Sequence, residues 1–411
     1  MKTTIQLFTL FFLISSLPAQ TFTNYTTADG LLSNNVRCVA IDKNDHLWFG
    51  TQDGVSVFDQ VSQWTSHTTT TDTGLVNNSI LAIATMSNDD MWVGTDFGVS
   101  VYDGTSWKTY TEADGLADNR VTYIREDNDG DVWIGNSDGV TKFDGTTWTS
   151  WTMADGLPFG GVSCIAPHPN GDMYLGTKLG GVQIFDGTTF TEITENDGLL
   201  NDKVKSIAID AQGNKWVATA DGVSVFDDMN QLVKNHTRMY IMPPPDTLNP
   251  TEDIQINSKG QVWTGVFVDY LITVGGVGAY DGNSWIDYDV SDGVIGPVIR
   301  RLEIDSNDDV WVTTSTGVTE ISNITLSIDQ MTLENGFKVY PNPVSDRLHI
   351  ERMEGKGLGA DRLVVYNMLM QKMTAIVIQP RQSAVSLDFG DYAPGLYFVK
   401  INDYLTKVVV E

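Results

Sequence analysis

Between Asp127 and Leu157 the chain reads DNDGDVWIGNSDGVTKFDGTTWTSWTMADGL. Three short runs, DVWIG, VTKFD and TTWTSWT, alternate polar with β-branched or aromatic residues. Asp138-Gly139 and Asp144-Gly145 separate them, and Asp155-Gly156-Leu157 closes the unit. A period of two cut by Asp-Gly pairs predicts antiparallel strands joined by tight turns.

The same unit recurs along the chain. Equivalents of Trp133 are Trp48, Trp92, Tyr174, Trp216, Trp263 and Trp311, with successive spacings of 44, 41, 41, 42, 47 and 48 residues. Nine residues before each anchor stands an aliphatic residue: Val39, Ile83, Ile124, Ile165, Ile207, Ile254 or Leu302. Seven copies of a four-strand unit, with strands a to d from the inside outward, predict a seven-bladed β-propeller within an all-β chain. The last unit stops after strand c at Ile321, and Phe22–Thr27 precedes the first Asp-Gly-Leu as strand d does elsewhere. The N-terminal segment is therefore expected to complete the last blade.

The run DGL-x-x-N-x-V followed by DxxGxVWxGTxxGVxxFDG resembles the two-component regulator propeller repeat over about residues 21–321. That repeat is known from extracytoplasmic sensors of bacterial hybrid kinases. The resemblance implies a propeller with a ligand-facing habit. Kinase modules are not part of these 411 residues.

Two stretches break the pattern. MNQLVKNHTRMYIMPPPDTLNP follows Asp228, and VFVDYLITVGG, residues 266–276, swells the b–c connection of the sixth unit. Alternating strand direction brings d–a and b–c connections to one face, where long loops on a rigid scaffold commonly bind ligands.

A polar linker, 322–336, is expected before a second small β-domain at 337–411, read as a β-sandwich from five strand-like runs. Val339-Tyr340-Pro341-Asn342-Pro343, Gly395-Leu396-Tyr397-Phe398-Val399 and Thr406-Lys407-Val408-Val409-Val410 make it similar to the type A sorting domain of the type IX secretion system. Met370 replaces the usual Gly before Gln371, and the chain ends in Glu411 rather than a base. The resemblance implies handling by the type IX machinery, export across the outer membrane and release or attachment at the cell surface. Residues 1–20 fit this route. Lys2, an apolar run from Leu7 to Ile14 and a small residue at Ala19 predict a signal peptide cut near Ala19 or Gln20. The run is shorter than the ~20 residues of a membrane span, so no span is expected in the mature chain.

Composition narrows the function. With 53 acids against 25 bases the formal charge is −28, which argues against a nucleic-acid partner. The Trp column fits inter-blade packing better than a sugar-stacking surface. The Asp-rich turns lack the Gly position and the bidentate Glu of a calcium loop. His46, His67, His168, His236 and His349 are scattered through different units, so neither a metal nor a cofactor is expected. Cys38 and Cys164 hold the same strand-a position in nearly opposite blades, beyond disulfide reach.

One charge pattern stands out. At the entrance to strand a, Arg37, Arg120, Arg125, Lys203, Lys205, Arg300 and Arg301 gather in an otherwise acidic ring, against Glu252, Asp253 and Glu303. Either these bases pair with neighbouring acids, or they form an anion-binding funnel at the channel mouth. The funnel assigns charge contacts to Arg120, Arg125, Lys203, Arg300 and Arg301, and stacking to Tyr123, Phe159 and Tyr270. The expected protein is a secreted or surface binding module for an anionic glycan or carboxylate ligand. The alternatives are a propeller lyase or hydrolase, with Tyr123 beside Arg125 as base and charge neutraliser, and a structural adhesin.

Overall fold

The computed structural model describes residues 20–410 except 159, 238–249, 270–272, 283–284, 325–330, 334–336, 341–343, 345–346, 353–360, 368–370, 379–383, 391, 394 and 402–403. Residues 1–19 of the expected signal peptide and Pro243–Pro245 thus lie outside the described residues. The chain divides into two units, 1–324 and 325–411.

In the first unit the period-two runs pair into seven four-stranded antiparallel sheets among the described residues. The inner strands are Val36–Ile41, Ile80–Thr85, Val121–Glu126, Val162–Pro167, Val204–Ile209, Thr251–Ile256 and Ile299–Ile304. Each touches the next and the last touches the first, so the sheets follow one another round a closed ring as a propeller. Thr21–Tyr25 supplies the outer strand of the last sheet, paired with Val318–Ser322, as the truncated final repeat predicts.

Cores form between successive sheets. Trp311 and Val318 of the last sheet pack with Leu47, Phe49 and Phe58 of the first, and Trp133 packs with Leu175 and Phe185 of the next. Within a sheet, each anchor Trp stacks on an aromatic ring of its own outer strand. Trp133 lies 5.4 Å from Trp151 at an interplanar angle of 7°, and Trp48 lies 5.3 Å from His67 at 6°. The Trp column is therefore core, as its repetition implies.

The Asp-rich turns are equally structural. Asp127 Oδ1 accepts the backbone N–H groups of Asp129 and Asp131, and its Oδ2 accepts the Trp133 indole N–H at 2.7 Å. Gly50 marks a close approach. A Cβ there would run into Cys38 Sγ and Ile80 of the next inner strand.

Two expectations change. The 266–276 swelling is no loop up to its tip: strands Val262–Asp269 and Thr273–Tyr280 continue their ladder to Asp269↔Thr273. Val266, Val268 and Val274 keep β-branched residues in that extension, and pairing satisfies backbone groups that a loop would leave to water. Met331–Leu333, placed in the linker by sequence, is a strand paired with Phe337–Tyr340.

The second unit holds two four-stranded sheets. Residues of both share one core, with Val339, Leu348 and Ile350 from one and Leu363, Val365, Val399 and Val408 from the other.

Candidate anion-binding mouth

Every inner strand carries a β-bulge at the same place. Val36 pairs with Thr51 and Cys38 with Gly50, which leaves Arg37 out of the ladder. The same slip recurs at Leu81, Thr122, Ser163, Lys205, Glu252 and Arg300. A bulge re-aims the extra side chain. Here all seven extra residues line one cavity of about 400 Å³ at the mouth of the channel, together with Asn35, Lys178 and Arg301. Five bases face one acid, Glu252, in that lining.

Their partners separate them. Lys205 Nζ donates to both Glu252 carboxylate oxygens, at 2.8 and 2.7 Å. Arg301 lies 3.7 Å from the buried Asp253 carboxylate, donates to Glu252 O at 3.3 Å and sits over the Tyr123 ring, 5.7 Å from its centroid. These two bases are already neutralised. Arg37 donates to the neutral Ser79 Oγ at 2.9 Å. Lys178 and Arg300 are exposed, with no ion pair to another described residue. Arg37, Lys178 and Arg300 are thus the bases whose charge is open to a ligand.

Beneath the mouth, and sharing Leu81, Thr122 and Arg301 with it, lies a second cavity of about 350 Å³. Its walls differ. Val39, Ala40, Ala82, Ile83 and Ala84 make an apolar side, and Tyr123, Arg125, Asp253, Gln255, Arg301 and Glu303 a polar one. Asp253 is saturated by Ser206 Oγ at 2.7 Å and the Leu302 N–H at 2.8 Å. Burial pushes the Glu303 carboxyl up to about 7; the Arg125 guanidinium pulls it down and Asp253 adds to the rise. Burial likewise lifts the Tyr123 hydroxyl to about 12.

Of the residues expected at this site, Arg300 and Arg301 line the mouth, and Tyr123, Arg125 and Arg301 line the cavity below. Arg120 lines neither and pairs with Asp96 at 3.3 Å, and Lys203 is exposed outside both. Phe159 and Tyr270 lie outside the described residues. Sequence reasoning missed Lys178, which stands on a b–c turn rather than on strand a, and it left Arg37 out of the ligand set. Among the described residues no group of three or more acids, histidines or cysteines is placed to hold a metal.

Comparison with known proteins agrees with this architecture. The model of the secretion system C-terminal sorting domain matches residues 338–411, and that of the two component regulator propeller matches 30–53 and 115–138. The chain thus carries regulator-propeller repeats in its first unit and a type IX sorting domain at its C-terminal end, and that domain directs it to the cell surface or outside the cell. No helix among the described residues is long and apolar enough to cross a membrane.

Among solved structures, an extracellular domain assigned to a hybrid two-component system of B. thetaiotaomicron matches 95% of this chain, with a TM-score of 0.65 and 18% identity. PorZ, a surface component of the type IX secretion system of Porphyromonas gingivalis, matches 93% with a TM-score of 0.61 and 17% identity. The chain spans 57% and 60% of the lengths of those two proteins. Streptogramin B lyase matches 74% of this chain and 97% of its own, with a TM-score of 0.57 and 12% identity. At these identities the likeness shows the propeller fold alone. No curated protein sequence matches the chain.

Proposed function

We propose that the propeller is a secreted or surface-attached binding module for an anionic ligand, an acidic glycan or another carboxylate- or sulfate-bearing molecule. The observation that carries this reading is the ring of seven bulged residues, which with Lys178 and Arg301 sets five bases against one acid in a protein of charge −28. Arg37, Lys178 and Arg300 make the charge contacts, and guanidinium groups grip carboxylate or sulfate through paired N–H donors. The pairing of Lys205 and Arg301 with acids fixes their geometry and leaves the open charge to the other three.

The test is a glycan array with the full chain at low and high salt, with Arg300→Ala alongside. Salt-sensitive binding to acidic glycans that Arg300→Ala weakens is the expected result. Silence toward acidic glycans would sink the reading and leave the ring as an adhesion scaffold.

A lyase reading draws on the inner cavity. Tyr123 is a poor base there, because its hydroxyl holds its proton to about pH 12. Glu303, poised near 7, is the better candidate. Rising ultraviolet absorbance on incubation with a uronic-acid polymer, abolished in Glu303→Gln, would favour the enzyme over the binder.

A further inference from the structure

We infer that the inner cavity is a second subsite of the same binding site: it takes the uncharged body of a terminal sugar ring whose acidic group is held at the basic mouth, so the ligand enters end-on. The inference rests on the anion reading of the mouth and adds to it the shape and chemistry of the rest of the ligand. The two cavities adjoin through Leu81, Thr122 and Arg301. A group bonded directly to the ring, such as a uronic-acid carboxylate or a sulfate ester, lets one sugar residue reach both.

The walls below the mouth suit a pyranose. Such a ring has a face of C–H groups and a rim of hydroxyls. On one wall the half-buried Ala84 offers apolar surface to the face, and Arg125, Gln255 and Glu303 offer donors and acceptors to the rim. Gln255 spends its amide N–H on Leu302 O at 3.3 Å, which leaves its carbonyl oxygen free to accept. Tyr123 is not the stacking platform, because Arg301 already sits over its ring. Inner strands of five of the seven sheets line this space. A polymer lying across the mouth would touch the basic ring and leave the cavity empty. A chain end or a free monosaccharide fills both.

The experiment is calorimetric titration of the full chain with sodium sulfate, D-glucuronate and D-glucose, on the parent protein, Ala84→Phe and Arg300→Ala. Ala84 is half-buried, lines this cavity beside the core that holds Trp92 and Val132, and is not among the residues of the mouth, so a bulky side chain there narrows the inner space and leaves the basic ring in place. Glucuronate should bind about tenfold or more tighter than sulfate, and glucose much more weakly. Ala84→Phe should cost glucuronate about tenfold and leave sulfate unchanged, while Arg300→Ala weakens both. If Ala84→Phe fails to fold, the smaller Ala84→Leu should give the same selective loss in lesser degree. Sulfate binding with no gain for glucuronate, or no selective loss in either Ala84 variant, overturns the inner subsite while the mouth stands. Binding of neither anion overturns the mouth and the subsite together.

Discussion

The indole N–H of Trp133 donates to Asp127 Oδ2 across 2.7 Å, while the other oxygen of that carboxylate ties down the turn between them. The same clamp joins Asp42 to Trp48 at 3.2 Å, Asp210 to Trp216 at 3.1 Å and Asp305 to Trp311 at 3.1 Å. A residue that looks like a turn former, or a fragment of a calcium loop, is the acceptor that lets a large aromatic be buried without an orphaned N–H.

The sixth sheet breaks this clamp. Asn257 stands in the acceptor position, its amide donates to Gln261 Oε1 at 2.7 Å, and the buried Trp263 indole nitrogen has no partner. Asn257→Asp should restore the acceptor and raise stability by about 1 kcal/mol, and Asp127→Asn should lower it by about as much. Urea denaturation of the full chain checks both. No gain for Asn257→Asp would show that the indole is satisfied some other way.

Closure of the ring depends on Tyr25. Its ring stacks on Trp311 with centroids 5.6 Å apart, lies 5.2 Å from Phe58, and its hydroxyl donates to Glu320 at 2.8 Å. Tyr25→Ala should cost about 2–3 kcal/mol and Tyr25→Phe about 1 kcal/mol. The ratio of the two losses, read from the same denaturation curves, separates packing from the hydroxyl bond. Equal losses would assign the whole effect to the hydrogen bond.

Glu303 sets a pH dependence of stability. Its carboxyl is held at about 7 in the folded protein, well above the range of an unfolded glutamate, first by burial and then by Asp253 against the pull of Arg125. Between the two values the folded state keeps a proton that the unfolded state has lost. Stability from this group therefore falls as pH rises from about 4.5 to about 7, and is flat beyond. Glu303→Gln should be more stable than the parent by on the order of 1–2 kcal/mol at pH 8 and equal to it near pH 4. Melting temperatures at the two values decide it. A gain of the same size at both pH values would point to packing instead.

Cys38 and Cys164 should be silent in the native protein. Both are buried and unpaired, and burial raises each thiol to about 12. Titration with a thiol reagent at pH 8 should find neither cysteine in the folded chain and both after unfolding. Rapid labelling of native protein would mean that the inner strands open readily.

Much of this protein was legible from period and repetition alone. Alternation around Trp133, the Asp-Gly turns and the seven anchors carry the sheets, because each records a local constraint of burial or backbone geometry that recurs once per blade. The orphaned strand at Thr21–Tyr25 was legible for the same reason: a final repeat lacking strand d needs a partner from elsewhere in the chain. The sorting domain was legible as three short motifs, and with it the address outside the cell. The charge cluster at the start of strand a was also visible, but not its sorting into neutralised and open bases. That sorting depends on Glu252 facing Lys205 and Asp253 facing Arg301 across 47 and 48 residues of chain. Only the closed ring brings them together. The bulge that turns Arg37 and Arg300 into the mouth leaves no mark in a pattern of apolar and polar residues, because it shifts register without changing composition. Lys178 joins them from a turn on another strand, and the inner cavity, apolar on one side and polar on the other, exists only where separate blades face one another. Local order was written in the residues; the site is a property of distances that the chain acquires on closing.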